Sequence, residues 1–329
     1  SPGVRNTLRS RSRYEMANNG YADGIAQTYA TDLVGVGPVL RMQTNSPRFN
    51  EMVELSFYLW CKAVQFRRKL WVMAHAKHGD GEGLAVLRIN KRLKHPIMLD
   101  LVLYESEEFA SPNLAFNREG IDGIPRFDEF GNPVYYERRL KHPGSTNGIG
   151  FGNETELIPA DRVLHWFKMR RPGQHRGVPE CASTLNLGAM FRRGRNAQIS
   201  TWEKIASWTL FLKTMFEHET AQAVTPLSTL DISHNMMTAL PNSVEPYQLK
   251  AEHPGANYPE AHKLWLSEQA RPKCMSYNKA ACDSSGSNYS SGRLDFLPYY
   301  ASLDVDREDC NDLVLDRMFD VWFDMAIHT

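Results

Sequence analysis

Glu217-His218-Glu219 sets two carboxylates and an imidazole on consecutive residues, the types that move protons and hold metals. On a helix three consecutive residues point in different directions, so they cannot converge on one proton or ion, and no catalytic role is expected of them. His75 and His78 stand at an i,i+3 spacing and offer half of a metal site. No carboxylate or cysteine cluster with ligand spacing accompanies them, and the helix dipole accounts for histidines at a helix end. Gly79-Asp80-Gly81-Glu82-Gly83 lacks the G-x-x-x-x-G-K-[ST] order and leads into a strand, where a phosphate loop would open a helix. It is expected to be a turn. G-x-S-x-G, H-E-x-x-H and paired carboxylates in a nuclease context are all missing. The sequence therefore predicts no catalytic residue, no metal site and no cofactor.

The remaining charge is arranged for contact. Arg170, Arg171, His175 and Arg176 are packed around Pro172, Gly173, Gly177 and Pro179, which predicts a sharp elbow carrying positive charge into solvent. Asp304, Glu308, Asp312, Asp316, Asp320 and Asp324 recur every four residues and form one acidic ridge on a helix whose other side is apolar. Like charges at i,i+4 cost a few tenths of a kcal/mol, so the ridge is mildly unfavourable to an isolated helix. Arg307 and Arg317 are placed to offset part of it; the ridge is either solvated or faces a basic surface of a neighbouring subunit. Arg5, Arg9, Arg11 and Arg13 near the start leave a similar choice between a solvated arm and contact with a neighbour or nucleic acid.

The elements that carry these residues follow from periodicity. Arg162 to Lys168 is short, β-branched and aromatic, a strand ahead of the elbow. After it, residues 183 to 216 contain no proline and repeat apolar residues at three- and four-residue spacings, a helix of roughly 50 Å at full length. Residues 1 to 30 read as helix or arm interrupted at Asn18-Asn19-Gly20, and Val34 to Met42 as a strand. Ser46 as cap and Pro47 at the first helical position begin a helix reaching about His78, with Lys62, Arg67, Arg68 and Lys69 as a solvated far side. Strands are expected at Leu84–Asn90, Ile97–Tyr104, Val134–Leu140 and Val244–Lys250, and a short helix at Pro259–Gln269. Ala223 to Pro241 is either a mobile segment or an ordered surface loop. A last helix runs from Leu294 to the end with a break at Pro298.

At 329 residues and 42% hydrophobic, the chain can bury a sizeable core as one domain or as two to three. Its 38 basic and 38 acidic side chains cancel, which argues against tight gripping of nucleic acid through phosphate neutralisation. Five cysteines without a CxxC pair suggest neither a disulfide framework nor a zinc ribbon, and fit a reducing compartment. No apolar run approaches the roughly 20 residues that span a bilayer, and no signal-peptide pattern opens the chain. A soluble protein is expected. The start at Ser1-Pro2, without methionine, suggests a processed or partial product.

The elbow is also where a family resemblance lies. Arg171-Pro172-Gly173-Gln174-His175-Arg176-Gly177-Val178-Pro179, just after the V-L-H-W-F strand, resembles the signature of the lambda-type phage portal proteins. Asn18-Asn19-Gly20-Tyr21 with the stretch Gln27 to Pro38, and Asp283 to Arg293 with its N-Y-S-S core, resemble that family's early and late segments, in the same order. The late stretch, rich in serine and glycine, would otherwise read as a flexible linker; the resemblance implies that it is ordered.

The resemblance implies an α+β portal fold with long stem helices, a β-rich clip and an α/β wing, assembling as a dodecameric ring at one capsid vertex. Double-stranded DNA would pass through the channel without sequence preference. The terminase large subunit, the major capsid protein and scaffold, and head-tail connector or adaptor proteins would be partners, with no membrane involved. The protein would reside in the virion after assembly in the host cytoplasm. Residues 1–104 would form an N-terminal wing portion, 105–182 a β-rich wing, stem and clip portion, 183–218 the long stem helix, and 219–329 a C-terminal wing portion running toward a truncated crown. Arg192, Arg193 and Arg195 would touch DNA loosely in the channel or pair with an adjacent subunit. Arg170, Arg171, His175 and Arg176 would lie at a motor, connector or subunit interface. Composition alone equally supports a soluble DNA-processing enzyme, which one acidic or histidine substitution should inactivate, or a head-completion adaptor, which would form a ring only beside a partner.

Overall fold

The computed structural model describes residues 1–111, 120–142, 144, 154–206, 210–214, 244–248 and 258–328. The chain divides into two compact units, Ser1–Ala189 with Lys263–Thr329, and Met190–His262. In the first, α1 (Pro2–Asn18) and α2 (Gly20–Val34) meet where Asn19 leaves helical geometry and its side chain caps α2 through the Tyr21 amide. The interruption falls at the asparagine pair, as the sequence suggests. Ser46 caps α3 (Pro47–Ala63) by accepting from the Phe49 amide. The single helix expected to reach His78 is two, because Gln65 takes a left-handed φ of 53° before α4 (Phe66–Gly79).

Two three-stranded antiparallel sheets follow, ordered β2-β1-β6 and β3-β4-β5, from β1 (Glu82–Ile89), β2 (Leu99–Tyr104), β3 (Arg126–Phe127), β4 (Pro133–Arg139), β5 (Thr155–Pro159) and β6 (Val163–Phe167). β1 is central and is buried on both faces. Leu84 and Val86 pack with Phe109, Tyr136 and Ile158 of the second sheet's cluster, while Ala85 and Leu87 face the main core. That double burial explains why β1 reads as a nearly continuous apolar run. In the main core Trp60 donates to the Leu99 carbonyl at 2.9 Å, and Trp322 meets the Phe57 ring edge-on at 5.1 Å.

Beyond the elbow lie α5 (Leu185–Ala206), the antiparallel pair β7 (Leu210–Thr214) and β8 (Val244–Gln248), and α6 (Tyr258–Ala270). The expected helix over 183–216 is therefore shorter: residues 210–214 are a strand, their Leu-Phe-Leu-Lys-Thr run satisfied by pairing with β8. The Glu217–Glu219 triplet and Ala223–Pro241 lie outside the described residues. α7 (Tyr277–Ala281) leads to α8 (Tyr289–Cys310), a π-helical turn at Asn311–Leu315, and α9 (Asp316–Ile327).

Two further expectations are corrected. Residues 35–42 form no strand; Gly35 and Gly37 adopt positive φ and Val36 is 91% exposed, so the segment runs as extended coil beside α4. α8 begins earlier than Leu294 and does not break at Pro298. A reciprocal Asn288–Ser291 capping box starts it, and burial of Tyr299 and Leu303 behind the proline offsets the lost backbone bond. No helix among the described residues is long and apolar enough to cross a membrane.

Candidate functional site

The elbow is pinned by backbone contact before any side chain acts. Gly81, at φ +92°, lies so close that an added Cβ would sit 2.2 Å from the Val178 carbonyl carbon, and one on Gly177 would sit 2.1 Å from the Gly81 oxygen. The glycine-rich turn after α4 thus exists for close packing, not for phosphate. Gln174 closes the elbow, accepting from the Arg170 amide at 3.0 Å and donating to the Arg176 carbonyl at 3.0 Å.

Arg176 does not carry charge into solvent. It is 6% exposed, and all five of its N–H donors are used. Nε and Nη2 hold Glu82 at 3.0 and 2.5 Å, Nη1 reaches the carbonyls of Phe109 and Asp122 at 2.8 and 2.5 Å, and Nη2 reaches that of Ser106 at 3.2 Å. Glu82 also accepts from the Gly177 amide at 2.9 Å, from the Ser106 hydroxyl, and from His165 Nε2 at 3.0 Å. Burial works against ionisation of Glu82, but Arg176 and His165 outweigh it and hold the carboxyl well below its usual range. Burial keeps His165 neutral below the ordinary histidine range, with Nδ1 left to accept from the Tyr136 hydroxyl at 3.1 Å. The N-terminal arginines close the network from outside. Arg5 pairs with Asp122, Arg9 donates to Ser106 Oγ at 2.7 Å, and Arg13 forks onto Asp80 at 2.7 and 2.8 Å. Three of the four cations assigned to solvent, a neighbour or nucleic acid are thus intramolecular.

A second buried cluster ties α4, the turn at Glu180–Thr184, the turn at Arg271–Lys273 and α8 together. Lys77 Nζ lies 2.8 Å from Glu180 and 3.3 Å from Asp306, and Lys273 pairs with both carboxylates. The Tyr29 hydroxyl donates to Asp306 at 2.9 Å, and Lys168 approaches from the rim at 3.3 Å. Burial pulls Lys273 down to about 8 against the attraction of Glu180, whereas at Lys77 the two carboxylates prevail over burial and raise it. Paired acids and bases of this kind resemble catalytic machinery, but the adjoining cavity is about 20 Å³, room for one water and not for a substrate.

Sequence reasoning missed this cluster, although a signal was there. Lys77 continues the buried α4 stripe Leu70, Met73, Ala74, and Asp306 continues the α8 stripe Tyr299, Leu303, Cys310. A charge on each of two apolar stripes calls for an opposite partner in the core.

The remaining assigned residues lie on separate surfaces. Arg170 and Arg171 are exposed; His175 is half-buried against the Phe127 ring at 4.4 Å, beside a recess of about 510 Å³. On α5, Arg193 is exposed, while Arg192 and Arg195 are half-buried, the latter 5.9 Å from the Phe191 ring. All six ridge carboxylates are exposed. Arg307 pairs with Asp304 at 2.9 Å, but Arg317 turns away to the Ala160 carbonyl at 2.9 Å and does not offset the ridge.

His75 and His78 do not share a ligand geometry: His75 stacks on Trp71 at 5.2 Å, and His78 is buried beside Tyr29. One group not foreseen, Glu105, Glu107 and His142, brings three ligand atoms within 4.8 Å of one another. Arg13 lies 3.2 Å from Glu105 and 3.4 Å from Glu107, and Arg9 3.2 Å from Glu107, so guanidinium already supplies the charge that a cation would bring.

Acid lability follows from the histidines. Burial, with Lys273 adding to it, pushes His78 down to about 3, and His165 is also lowered. Between about pH 6.5 and the folded values, the unfolded chain binds protons there that the folded chain refuses. Stability is then complete above about pH 6.5 and falls by up to ~1.4 kcal/mol per pH unit per histidine below it. Urea midpoints at pH 7.5, 6 and 5 should fall in that order, and His78→Leu should flatten the decline; a flat wild-type profile down to pH 5 would contradict the burial argument.

Fold and site together define an α+β protein whose buried ions lock elements together and whose exposed charge lies in separate surface patches. A sequence model described as phage portal protein, lambda family, matches residues 3–307, and the chain belongs to that family. A probable portal protein of Halomonas phage phiHAP-1 is 22% identical, over 98% of this chain and 66% of the relative, so the chain spans just under two thirds of that relative's length. Among solved structures, a chain from the virion of a native gene transfer agent particle superposes with TM-score 0.50 at 12% identity, covering 90% of this chain and 77% of the other. One from the neck of an empty gene transfer agent particle gives 0.52 at 12%, covering 87% and 74%. At that identity the likeness is one of fold.

Proposed function

We propose that this chain is the subunit of a closed ring, of twelve copies by family analogy, at one vertex of a phage capsid. The channel of that ring would admit double-stranded DNA during packaging and release it on ejection. The observation that carries the reading is the family match over residues 3–307, which spans the elbow, both sheets and the start of the acidic ridge. Terminase, major capsid protein with scaffold, and head-tail connector proteins are the partners this role requires. Assembly in the host cytoplasm and residence in the virion follow from it.

The architecture supports an assignment of parts that differs from the one the sequence suggests. The order α5, β7–β8, α6 is helix, strand pair, helix, as a stem and clip would need, and at 22 residues α5 measures about 33 Å. We therefore infer that the clip lies within Met190–His262 and not in 105–182, whose strands β3 to β6 belong to the two sheets that suit the wing. Arg192, Arg193 and Arg195 then ride on a stem helix, where a few cations would touch phosphate without the steep affinity that would stop sliding. The overall neutrality of the chain suits the same need. Arg170, Arg171 and His175 remain the docking candidates at the elbow; Arg176 is assigned the task of holding that elbow in shape.

Light scattering with negative-stain images tests the reading. Closed rings with a hole wide enough for a duplex are expected. A folded monomer at every concentration would overturn it.

A further inference from the structure

A head-to-tail ring contact is heterologous: every subunit must present two different surfaces that fit each other. Two exposed surfaces of the unit Ser1–Ala189 with Lys263–Thr329 have that complementarity.

The first lies on α3 and the start of α4. Met52, Leu55, Tyr58 and Leu59 recur at helical spacing yet are 61%, 59%, 53% and 48% exposed, an apolar stripe on the outside of the molecule. Tyr58 also lines a groove of about 910 Å³ between the coil at residues 36–39 and the two helices, with Lys62, Arg67 and Arg68 on its walls. Among the described residues none of these three cations pairs with a carboxylate. Lys69, by contrast, is taken by Asp100 at 2.5 Å. The face expected from sequence to be merely solvated is thus apolar at one end and cationic at the other.

The second surface lies on α8 and α9. Leu294, Leu297 and Val305 are 66%, 53% and 60% exposed on α8, and the acidic ridge begins beside them at Asp304. Asp312 and Asp316 are exposed and unpaired among the described residues. An apolar patch bordered by charge of one sign marks a contact surface. Here the two patches carry opposite signs.

We propose that the α8–α9 ridge of one copy of this chain seats on the α3–α4 groove of the next copy, apolar stripe against apolar stripe and carboxylates against Lys62, Arg67 and Arg68. The inference rests on the ring reading and names the contact that closes the ring. The spacing matches when the two helices run the same way. From Met52 to Lys62 is about 15 Å, and from Leu297 to Glu308 about 17 Å, at 1.5 Å per residue. The mild cost of six acids in one row, which Arg317 does not relieve, is offset where cations of a second copy lie across them.

Charge reversal in the full-length protein tests the pairing. A ridge variant carries Glu308→Lys, Asp312→Lys and Asp316→Lys; a groove variant carries Lys62→Glu and Arg68→Glu, sparing Arg67 because it donates to the Gly35 carbonyl at 3.0 Å. Each variant alone meets like charge at every contact and should run at monomer mass, with circular dichroism as in wild type. Mixed one to one, the two variants meet opposite charge at both contacts and should form rings in which they alternate. Rings from either variant alone, or none from the mixture, would overturn the pairing while wild-type rings left the portal reading standing. Wild type that never forms rings would overturn that reading, and the pairing with it.

Discussion

Arg176→Met is expected to lower stability by about 3–5 kcal/mol, the usual loss when one partner of a buried ion pair is removed. The size follows from what stays behind. Glu82, 1% exposed, would keep the Gly177 amide, the Ser106 hydroxyl and His165, but no positive charge in direct contact. The carbonyls of Phe109 and Asp122 would lose their Arg176 donor in the interior. Adding Glu82→Leu should recover only the part of the loss that comes from the stranded charge, because it also takes the acceptor from the Gly177 amide and His165. Arg171→Glu, five residues away and exposed, should leave the urea midpoint almost unchanged and alter only docking or assembly. If Arg176→Met unfolds at the wild-type midpoint, the elbow is not held as described.

Those two arginines also mark where the sequence stops being legible. Both stand in one nine-residue motif, and residue type gives no hint that one faces solvent and the other fills the core. The decision is made by Glu82, 94 positions away, and by the close approach of Gly81 to Gly177, a contact between distant segments that no local period encodes. What periodicity does encode was readable: β1, β2, β4, β6, α6 and the Ser46 cap fall where alternation and capping residues put them. β3, at two residues, and β5, which has no aromatic residue and ends in proline, carry too weak a strand signal to read, unlike the aromatic β6 of the same length as β5. The ridge was visible because its spacing is strict, whereas the apolar stripe beside it became meaningful only once Leu294 and Leu297 were found exposed. Exposure, unlike spacing, is a property of the packed molecule.

Lys77→Met should be comparably severe, again about 3–5 kcal/mol, with a dependence on pH that separates it from an ordinary core defect. Removing the ammonium leaves Glu180 and Asp306 facing each other with, among the described residues, one buried cation between them, Lys273, and Lys168 at the rim. Two buried carboxylates against one buried ammonium cannot both stay ionised at low cost, so one of them should rise in pKa toward neutrality. The variant then takes up a proton that wild type refuses, and its deficit should shrink as the pH falls from 7.5 to 5. A cavity at the same place would give a deficit independent of pH. Asp306→Leu in the Lys77→Met background should return part of the loss at pH 7.5, because it removes the surplus negative charge. These charges sit on the inner faces of α4 and α8, the helices whose outer faces carry part of the basic groove and the beginning of the ridge. A ring that must repeat one contact around its circumference needs those two surfaces fixed in relation to each other. We expect the ion pairs, each with a defined partner, to fix that relation beyond what apolar packing alone provides. The variant that loosens this cluster should therefore show broadened or open rings at temperatures where it is still mostly folded, and closed, uniform rings under those conditions would mean that apolar packing alone sets the geometry.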